Sequence, residues 1–551
     1  MIKNPVLRIH PKDNLLVALS DLEAGYEYRE ADLAFPLVER IPQKQKFTRE
    51  ALAEGESVYL YGVLVGRTLK ALPQGALITT ANVSHAAEST TKRSGTEKWI
   101  APDVSRWQGK SFDGYHRADG RVGTANYWLI IPLVFCENRN VKLIHQSLTE
   151  ALGYQQKRVE KLDVNALKTL HRQGADASQL LATDIHLSPE ELKAKRYFPN
   201  VDGIKVLTHD GGCGGTRQDA TMLCRLLAAY IDHPNVAGAT ILSLGCQNAQ
   251  ISLLETALVE RNPHLAKPLY WFEQQKSKSE RELVAEAVKH TFVGLAQANE
   301  TSRQAAPLSK LVIGLECGGS DGFSGITANP AIGYTSDLLV ALGGTAILSE
   351  FPELCGVEQE LANRCVSEGV AERFLSLMKD YSDAAEAVGS GFDMNPSPGN
   401  IRDGLITDAM KSAGAAKKGG TSPIVAALDY PEPVQGPGLH LLCTPGNDVE
   451  STTGLAGAGA TVTLFTTGLG TPTGNPVSPV VKLATNTSLA ERMPDIIDIN
   501  TGTIITGEDD LASKGGEILD YIIEVASGRA VPKAVALGQD DFIPWKRGVS
   551  L

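Results

Sequence analysis

Long hydrophobic runs are missing from this 551-residue sequence. No window approaches the ~18 consecutive apolar residues of a membrane-spanning helix. The first residues, Met-Ile-Lys-Asn-Pro-Val-Leu-Arg-Ile-His10, also lack an apolar stretch followed by small residues of the kind cut during export. A cytoplasmic protein is therefore expected, with no membrane partner. Cysteine is sparse, at eight residues, which is too few for a disulfide scaffold and fits a reducing compartment. Positive charge is in deficit: the formal net charge is −12, and no Lys/Arg run or interleaved aromatic stripe occurs. Such a chain offers no field for a phosphodiester backbone, so nucleic acid is excluded as a partner. GxxxxGK[ST] is absent, as is a clean GxGxxG opening a helix, so no nucleotide cofactor is expected.

What is present is the balance of a globular protein, with 42% apolar and 21% charged residues. A chain this long exceeds the ~250–300 residues that one core can serve, and three domains are expected. Residues 1–87 alternate short apolar runs, such as Asn14–Leu19 and Ser57–Tyr61, with glycine turns, the pattern of a small β-rich domain. Residues 88–110 are polar and aperiodic and read as a linker. From Tyr115 the texture becomes apolar strands alternating with helical periodicity, the signature of α/β architecture with largely parallel sheets. Strands are expected at Tyr127–Phe135, Ile204–Thr208, Thr240–Leu244, Leu311–Leu315, Ala346–Leu348, His440–Cys443 and Thr461–Phe465. Helices are expected at Thr216–Tyr230, Glu280–Ala298 and Leu361–Lys379. A polar break near Ala298–Ser309 divides this region into an α/β domain over 111–303 and a C-terminal α/β domain over 304–551.

Ligands of parallel sheets collect where strands end, so the residues after each apolar run carry the chemical expectation. Thr208-His-Asp-Gly-Gly-Cys-Gly-Gly215 offers His209, a thiol at Cys213, and glycine amides at Gly211, Gly212 and Gly214 that could hold a carboxylate before a helix. The same residues also suit a plain strand-to-helix turn. Glu316-Cys-Gly-Gly-Ser-Asp321 places two carboxylates, a thiol and a hydroxyl within six residues, enough for a divalent cation or proton transfer. Cys136, Cys213, Cys246 and Cys317 all follow strands and could converge, although none forms a CxxC pair and small thiols often only pack. The C-terminal loops around Asn447, Asp448, Thr467 and Lys482 are dense in hydroxyls, amides and backbone donors, which suits a polyol acid but also suits capped helices and turns.

At these loops the chain resembles the altronate/galactarate dehydratase family. The resemblance rests on Phe112-Asp-Gly-Tyr-His-Arg-Ala-Asp-Gly-Arg-Val-Gly-Thr124, Gly211-Gly-Cys-Gly214, His233-Pro-Asn-Val-Ala-Gly238, Glu316-Cys-Gly-Gly-Ser-Asp321, Asn395-Pro-Ser-Pro-Gly-Asn400 and Phe465-Thr-Thr-Gly-Leu-Gly-Thr471, in that order. Tyr61-Gly-Val-Leu-Val-Gly66 and Ala81-Asn-Val83 are similar to the SAF domain that opens these enzymes. Pro445-Gly-Asn-Asp448 with Ser451-Thr-Thr453, and Glu350-Phe-Pro-Glu353 with Glu358-Gln359, lean toward the altronate branch. The resemblance implies a small SAF-like domain followed by two α/β domains. It also implies loss of water from a sugar acid to give a 2-keto-3-deoxy product, assisted by a divalent metal, usually Fe2+, with Mn2+ as the alternative. The family's arginines are replaced at Ala125 and Leu469, and its early histidines are absent around Gln45 and Thr79–Asn82.

The expected roles combine motif position with general chemistry. Glu316 and Asp321 lead as metal or acid/base residues, His209 as ligand or base, and Lys482 as a base whose pKa burial could lower. Arg121 is the expected bidentate carboxylate clamp, assisted by Gly211, Gly212 and Gly214, while Asn400, Asn447, Asp448 and Thr467 read hydroxyls. The metal set is His209, Cys213, Cys246, Glu316 and Cys317. The partner is a small sugar acid, and a homo-oligomer is left open.

Overall fold

A computed structural model describes residues 4–31, 33–88, 92–94, 98–154, 162–186 and 196–548. The N-terminal segment is strand-rich. Val6–Leu7, Leu15–Ala18 and Lys46–Thr48 form one antiparallel sheet, and Ser57–Leu60, Val63–Thr68 and Val83–Ser84 form another. The hairpin Glu27–Glu30/Leu33–Pro36 and the first sheet share a small core around Leu16, Tyr28, Phe35 and Phe47, while Val58, Leu60, Val65 and Val83 of the second sheet join the large core of the C-terminal region. The polar stretch read as a linker is fastened in its described part: the Trp99 indole donates to Thr421, and Arg106, Trp107 and Lys110 all engage Asp520.

The second region is built on a four-stranded parallel sheet. Its strands are β1 (Tyr127–Pro132), β2 (Gly203–Val206), β3 (Val236–Ser243) and β4 (Leu269–Glu273), in the order β2-β1-β3-β4. Strands β1 and β3 are buried on both faces, which explains why they read as unbroken apolar runs. Helices α1 (Arg217–Asp232) and α2 (Glu280–Ala298) pack against the sheet.

The third region carries seven parallel strands: β5 (Val312–Cys317), β6 (Thr345–Leu348), β7 (Ile424–Leu428), β8 (Gly438–Leu442), β9 (Val462–Thr467), β10 (Val480–Ala484) and β11 (Ile499–Asn500). Their order is β7-β8-β6-β5-β9-β10-β11. The chain leaves β5 toward β6, β7 and β8, then crosses back to place β9 on the other side of β5. Successive crossovers therefore diverge between β5 and β9, and such a point opens a crevice at the carboxyl ends of the strands. The helix expected over Leu361–Lys379 is two helices, Glu358–Arg364 and Glu368–Glu386. Cys365 leaves the helical path to bridge Ile424, and Ser367 caps a fresh start. No helix among the described residues is long and apolar enough to cross a membrane.

Candidate functional site

The carboxyl end of β5 delivers Glu316 and Cys317 into the interior at the divergence point. Glu316 is fully buried; one carboxylate oxygen accepts from Ser349 at 2.8 Å and Ser451 at 2.6 Å, while the other has no hydrogen-bond partner. Cys317 lies against Glu353 (3.2 Å) and Lys418 (2.9 Å). Glu350, just past β6, pairs with Lys418 and also keeps one buried oxygen without a partner. Its backbone is left-handed, with φ +66°, an uncommon conformation for a non-glycine residue. Glu353 pairs with Lys411 at 2.6 Å on helix α3 (Asp408–Ala415). Asp448, the first residue of helix α4 (Asp448–Ala458), faces the same group.

Four carboxylates, Glu316, Glu350, Glu353 and Asp448, thus share two ammonium groups, Lys411 and Lys418. The pKa directions report that deficit. Burial raises Glu316, and the negative Glu350 raises it further; burial and Glu353 raise Glu350. Burial followed by Glu350 and Glu353 pushes Asp448 up to about 7, and the Cys317 thiol is raised by burial and the same two glutamates. Glu353 alone is held low, because Lys411 and Lys418 outweigh its burial. Four buried carboxyls with two ammonium groups among them, and two orphaned oxygens, suit a divalent cation, and Cys317, Glu350 and Glu353 place ligand atoms within 4.8 Å of one another. Glycine at 318 is required by this crowding, since a Cβ there would lie 2.1 Å from an Asp448 oxygen.

The loop after Cys317 leads outward to Asp321, which is fully buried and receives Lys44 from the N-terminal segment at 2.9 Å. Lys44 also pairs with Asp403. Lys46 is buried beside this pair and donates to the Gly404 carbonyl at 2.6 Å; burial pulls its pKa down to about 7. Outside lies a cavity of about 330 Å³ whose wall includes Lys44, Phe323, Asp403, Gly468, Asn486 and Arg492. Arg492 forms no ion pair among the described residues, and its guanidinium is free to meet an anion.

Other residues singled out in the sequence lie elsewhere. His209 is buried after β2, with one ring nitrogen on the Pro132 carbonyl (2.8 Å) and the other accepting from the Gly211 amide (3.1 Å). Burial lowers its pKa, so it is neutral and fully partnered. Gly212 packs against β1, where a Cβ would meet the Leu133 carbonyl at 2.1 Å. The start of α1 is closed by its own cap, Thr216 with Asp219, and the Gly548 amide also donates to Asp219. Cys136, Cys213 and Cys246 are exposed. The proposed metal set is therefore divided: Glu316 and Cys317 share the interior cluster, while His209, Cys213 and Cys246 belong to no group of three ligands among the described residues.

Arg121 is likewise committed, forking onto Asp119 and Asp232, and this pairing holds the Asp232 carboxyl well below its ordinary range despite burial. Lys482 points into the core of the sheet, donating to the Thr473 carbonyl and lying 4.9 Å over the Phe465 ring; burial lowers it to about 8. Asn400 holds the Ser320 carbonyl at 2.7 Å and Thr467 accepts from the amides of Gly470 and Thr471, so both shape the loops around Glu316 and Asp321. Asn447 caps α4. Sequence reasoning missed Glu350, Glu353, Lys411, Lys418, Lys44, Lys46 and Arg492. Only the glutamates carried a signal, since Glu350 follows β6 by two residues.

Comparison with known proteins now bears on this site. The family model described as D-galactarate/Altronate dehydratase, C-terminal, matches residues 308–550. That for D-galactarate dehydratase/Altronate hydrolase, second domain, matches 114–299, and the Altronate/galactarate dehydratase SAF domain matches 4–86. The chain is similar to altronate dehydratase of Bacillus subtilis (strain 168), at 33% identity over 95% of both chains. It is similar to altronate dehydratase of Escherichia coli (strain K12), at 32% over 95% of both. Galactarate dehydratase (L-threo-forming) of the same E. coli strain is 31% identical over 95% of this chain and 93% of its own.

Proposed function

Because the chain belongs to the D-galactarate/altronate dehydratase family and is a sugar-acid hydro-lyase, we propose that its substrate is a six-carbon monocarboxylate, D-altronate, dehydrated to 2-keto-3-deoxy-D-gluconate. The observation that carries this choice is the cation count of the outer cavity. Lys44 is already paired with Asp321 and Asp403, which leaves Arg492 as the cationic handle among its described lining residues. An aldarate, with a carboxylate at each end, would leave one end without a partner.

Loss of water needs removal of the proton next to the carboxylate and protonation of the departing hydroxyl. In this reading Arg492 takes the carboxylate. Lys46, buried behind the Lys44–Asp321 pair with its pKa drawn to about 7 by burial, would exchange a proton near neutrality only through that pair. Burial and the neighbouring glutamates raise Asp448 to about 7, and burial and Glu350 raise Glu316, which suits a carboxyl that passes a proton to a leaving hydroxyl. Cys317, Glu350 and Glu353 would hold a divalent ion, Fe2+ in the first instance and Mn2+ in the second. When bound it would supply positive charge against the enediolate that forms.

The test is a steady-state comparison of D-altronate with galactarate on anaerobically purified enzyme, with product 2-keto-3-deoxy acid quantified. We expect kcat/KM for D-altronate to exceed that for galactarate by at least ~10-fold, the scale of one lost charged hydrogen bond. Equal or reversed values would overturn the monocarboxylate assignment.

A further inference from the structure

A second cluster of metal-binding side chains lies outside the site just described. His85, directly after the last N-terminal strand, Cys355, after the short turn Phe351–Leu354, and Asp408, at the start of α3, place ligand atoms within 4.8 Å of one another. These residues are hundreds of positions apart, and three local features bring them together. Gly356 has φ +91°, and a Cβ there would meet the Ala409 Cβ at 2.9 Å and the Ala87 Cβ at 3.3 Å, so the loop seats directly on both neighbouring segments. Thr407 donates to the Val65 carbonyl at 2.7 Å, tying α3 to the N-terminal sheet. The Ala409 amide points at the His85 ring nitrogen Nδ1 at 3.3 Å.

Asp408 supplies an independent sign of a missing ligand. It is 3% exposed, yet one carboxylate oxygen is buried without a hydrogen-bond partner, while the carboxylate meets the Cys355 side chain and, at a long 3.4 Å, the Ser412 hydroxyl. A buried carboxylate oxygen with nothing bound to it is costly, and a cation resolves that cost.

We propose that His85, Cys355 and Asp408 form a second metal site, which takes a borderline-soft divalent cation of the Zn2+ type and fastens the N-terminal domain to the C-terminal one. One imidazole, one thiolate and one carboxylate form a mixed N/S/O set that zinc accepts and calcium or magnesium does not. Tetrahedral ligands at zinc distances lie ~3.5 Å apart, against a present spacing of at most 4.8 Å with His85 exposed. Water fills the fourth position on that exposed side. Binding releases the Cys355 thiol proton, and the Asp408 proton where that carboxyl is protonated. The site also fixes the two segments that carry Glu353, two residues before Cys355, and Lys411, three residues after Asp408.

The experiment uses the full chain stripped with chelator, then titrated with Co2+ as a spectroscopic probe and with Zn2+ for thermal shift. Wild type is expected to show a thiolate-to-cobalt charge-transfer band and a rise in Tm with Zn2+. Both should be lost in Cys355→Ser and weakened in His85→Ala, with Zn2+ affinity falling about 100-fold or more, and both should persist in Cys317→Ser. A wild type without band or Tm shift overturns the proposal. So does a band that survives Cys355→Ser, or one lost in Cys317→Ser alone, since the metal would then sit in the interior cluster. Substrate turnover plays no part in the readout, so the result stands apart from the assignment of D-altronate.

Discussion

The two parallel sheets end in loops of similar composition, each with a cysteine, an acidic residue and glycines, yet the loops do opposite things. After β2, every polar group of interest finds a partner within the chain: His209 bonds at both nitrogens, and the amides of α1 are closed by Thr216 and Asp219. After β5 and β6, carboxylates outnumber ammonium groups and two buried oxygens have no partner. The first arrangement lowers free energy by satisfying itself. The second leaves an electrostatic deficit that a bound ion or substrate can fill. Orphaned oxygens alone do not separate the two sheets, since Glu137 and Asn138 after β1 also leave one each; what separates them is the buried concentration of carboxylates over ammonium groups after β5 and β6, which residue type alone does not reveal.

The sharpest way to break this contrast is to neutralise one member on each side. Glu350→Gln should lower kcat by ~10³-fold, within the range for groups that manage charge and protons in a reaction, with circular dichroism unchanged. His209→Ala should keep kcat within a factor of about 3 while losing about 1–3 kcal/mol of stability from two broken buried hydrogen bonds. A collapse of kcat in His209→Ala with normal folding would erase the contrast. Next in size, Arg492→Met should raise KM for D-altronate by ~10–100-fold with a smaller change in kcat, the value of one charged hydrogen bond; an unchanged KM would remove Arg492 from the carboxylate.

The region of the four-stranded sheet should also betray itself on acidification. His233, buried at the turn before β3, has its pKa lowered to about 3 by burial, against an ordinary value of 6.5. The unfolded chain therefore binds the extra proton first, and stability falls as pH drops below 6.5, by about 2 kcal/mol at pH 5 for this residue. Thermal melts of His233→Asn between pH 8 and 5 should show a shallower decline than wild type. The smallest effect expected is from Cys213→Ser and Cys246→Ser, which should leave both activity and bound metal unchanged; loss of metal in either would return these thiols to the ligand set.

The architecture was largely legible because strand and helix periods are local. The β-rich opening, the switch to parallel α/β texture and the helix Glu280–Ala298 all follow from patterns shorter than twenty residues. The misjudged helix over Leu361–Lys379 shows the limit: its apolar spacing continues through Cys365, but a tertiary bridge to Ile424 pulls the backbone straight there. Site residues followed the same division. Glu316 and Asp321 stand out because they end a strand. Lys411 and Lys418 lie on helical segments with no distinguishing neighbours, and only the fold carries them to Glu353 and Glu350. Arg121 and His209 have the right chemistry for function, and no one-dimensional pattern reveals that Asp232 and the Pro132 carbonyl already occupy them.

Glu350 carries a strain that its pairing with Lys418 keeps in place. A left-handed backbone costs a non-glycine residue roughly 1–2 kcal/mol, and the buried carboxylate adds its own penalty. Glycine at this position would relieve both, but it would leave the buried Lys418 ammonium without its carboxylate, at a cost of about 3–5 kcal/mol. The strained glutamate and its buried lysine are therefore locked together: neither can be exchanged alone without a net loss of stability, and only a paired replacement would trade the charge for a sturdier core.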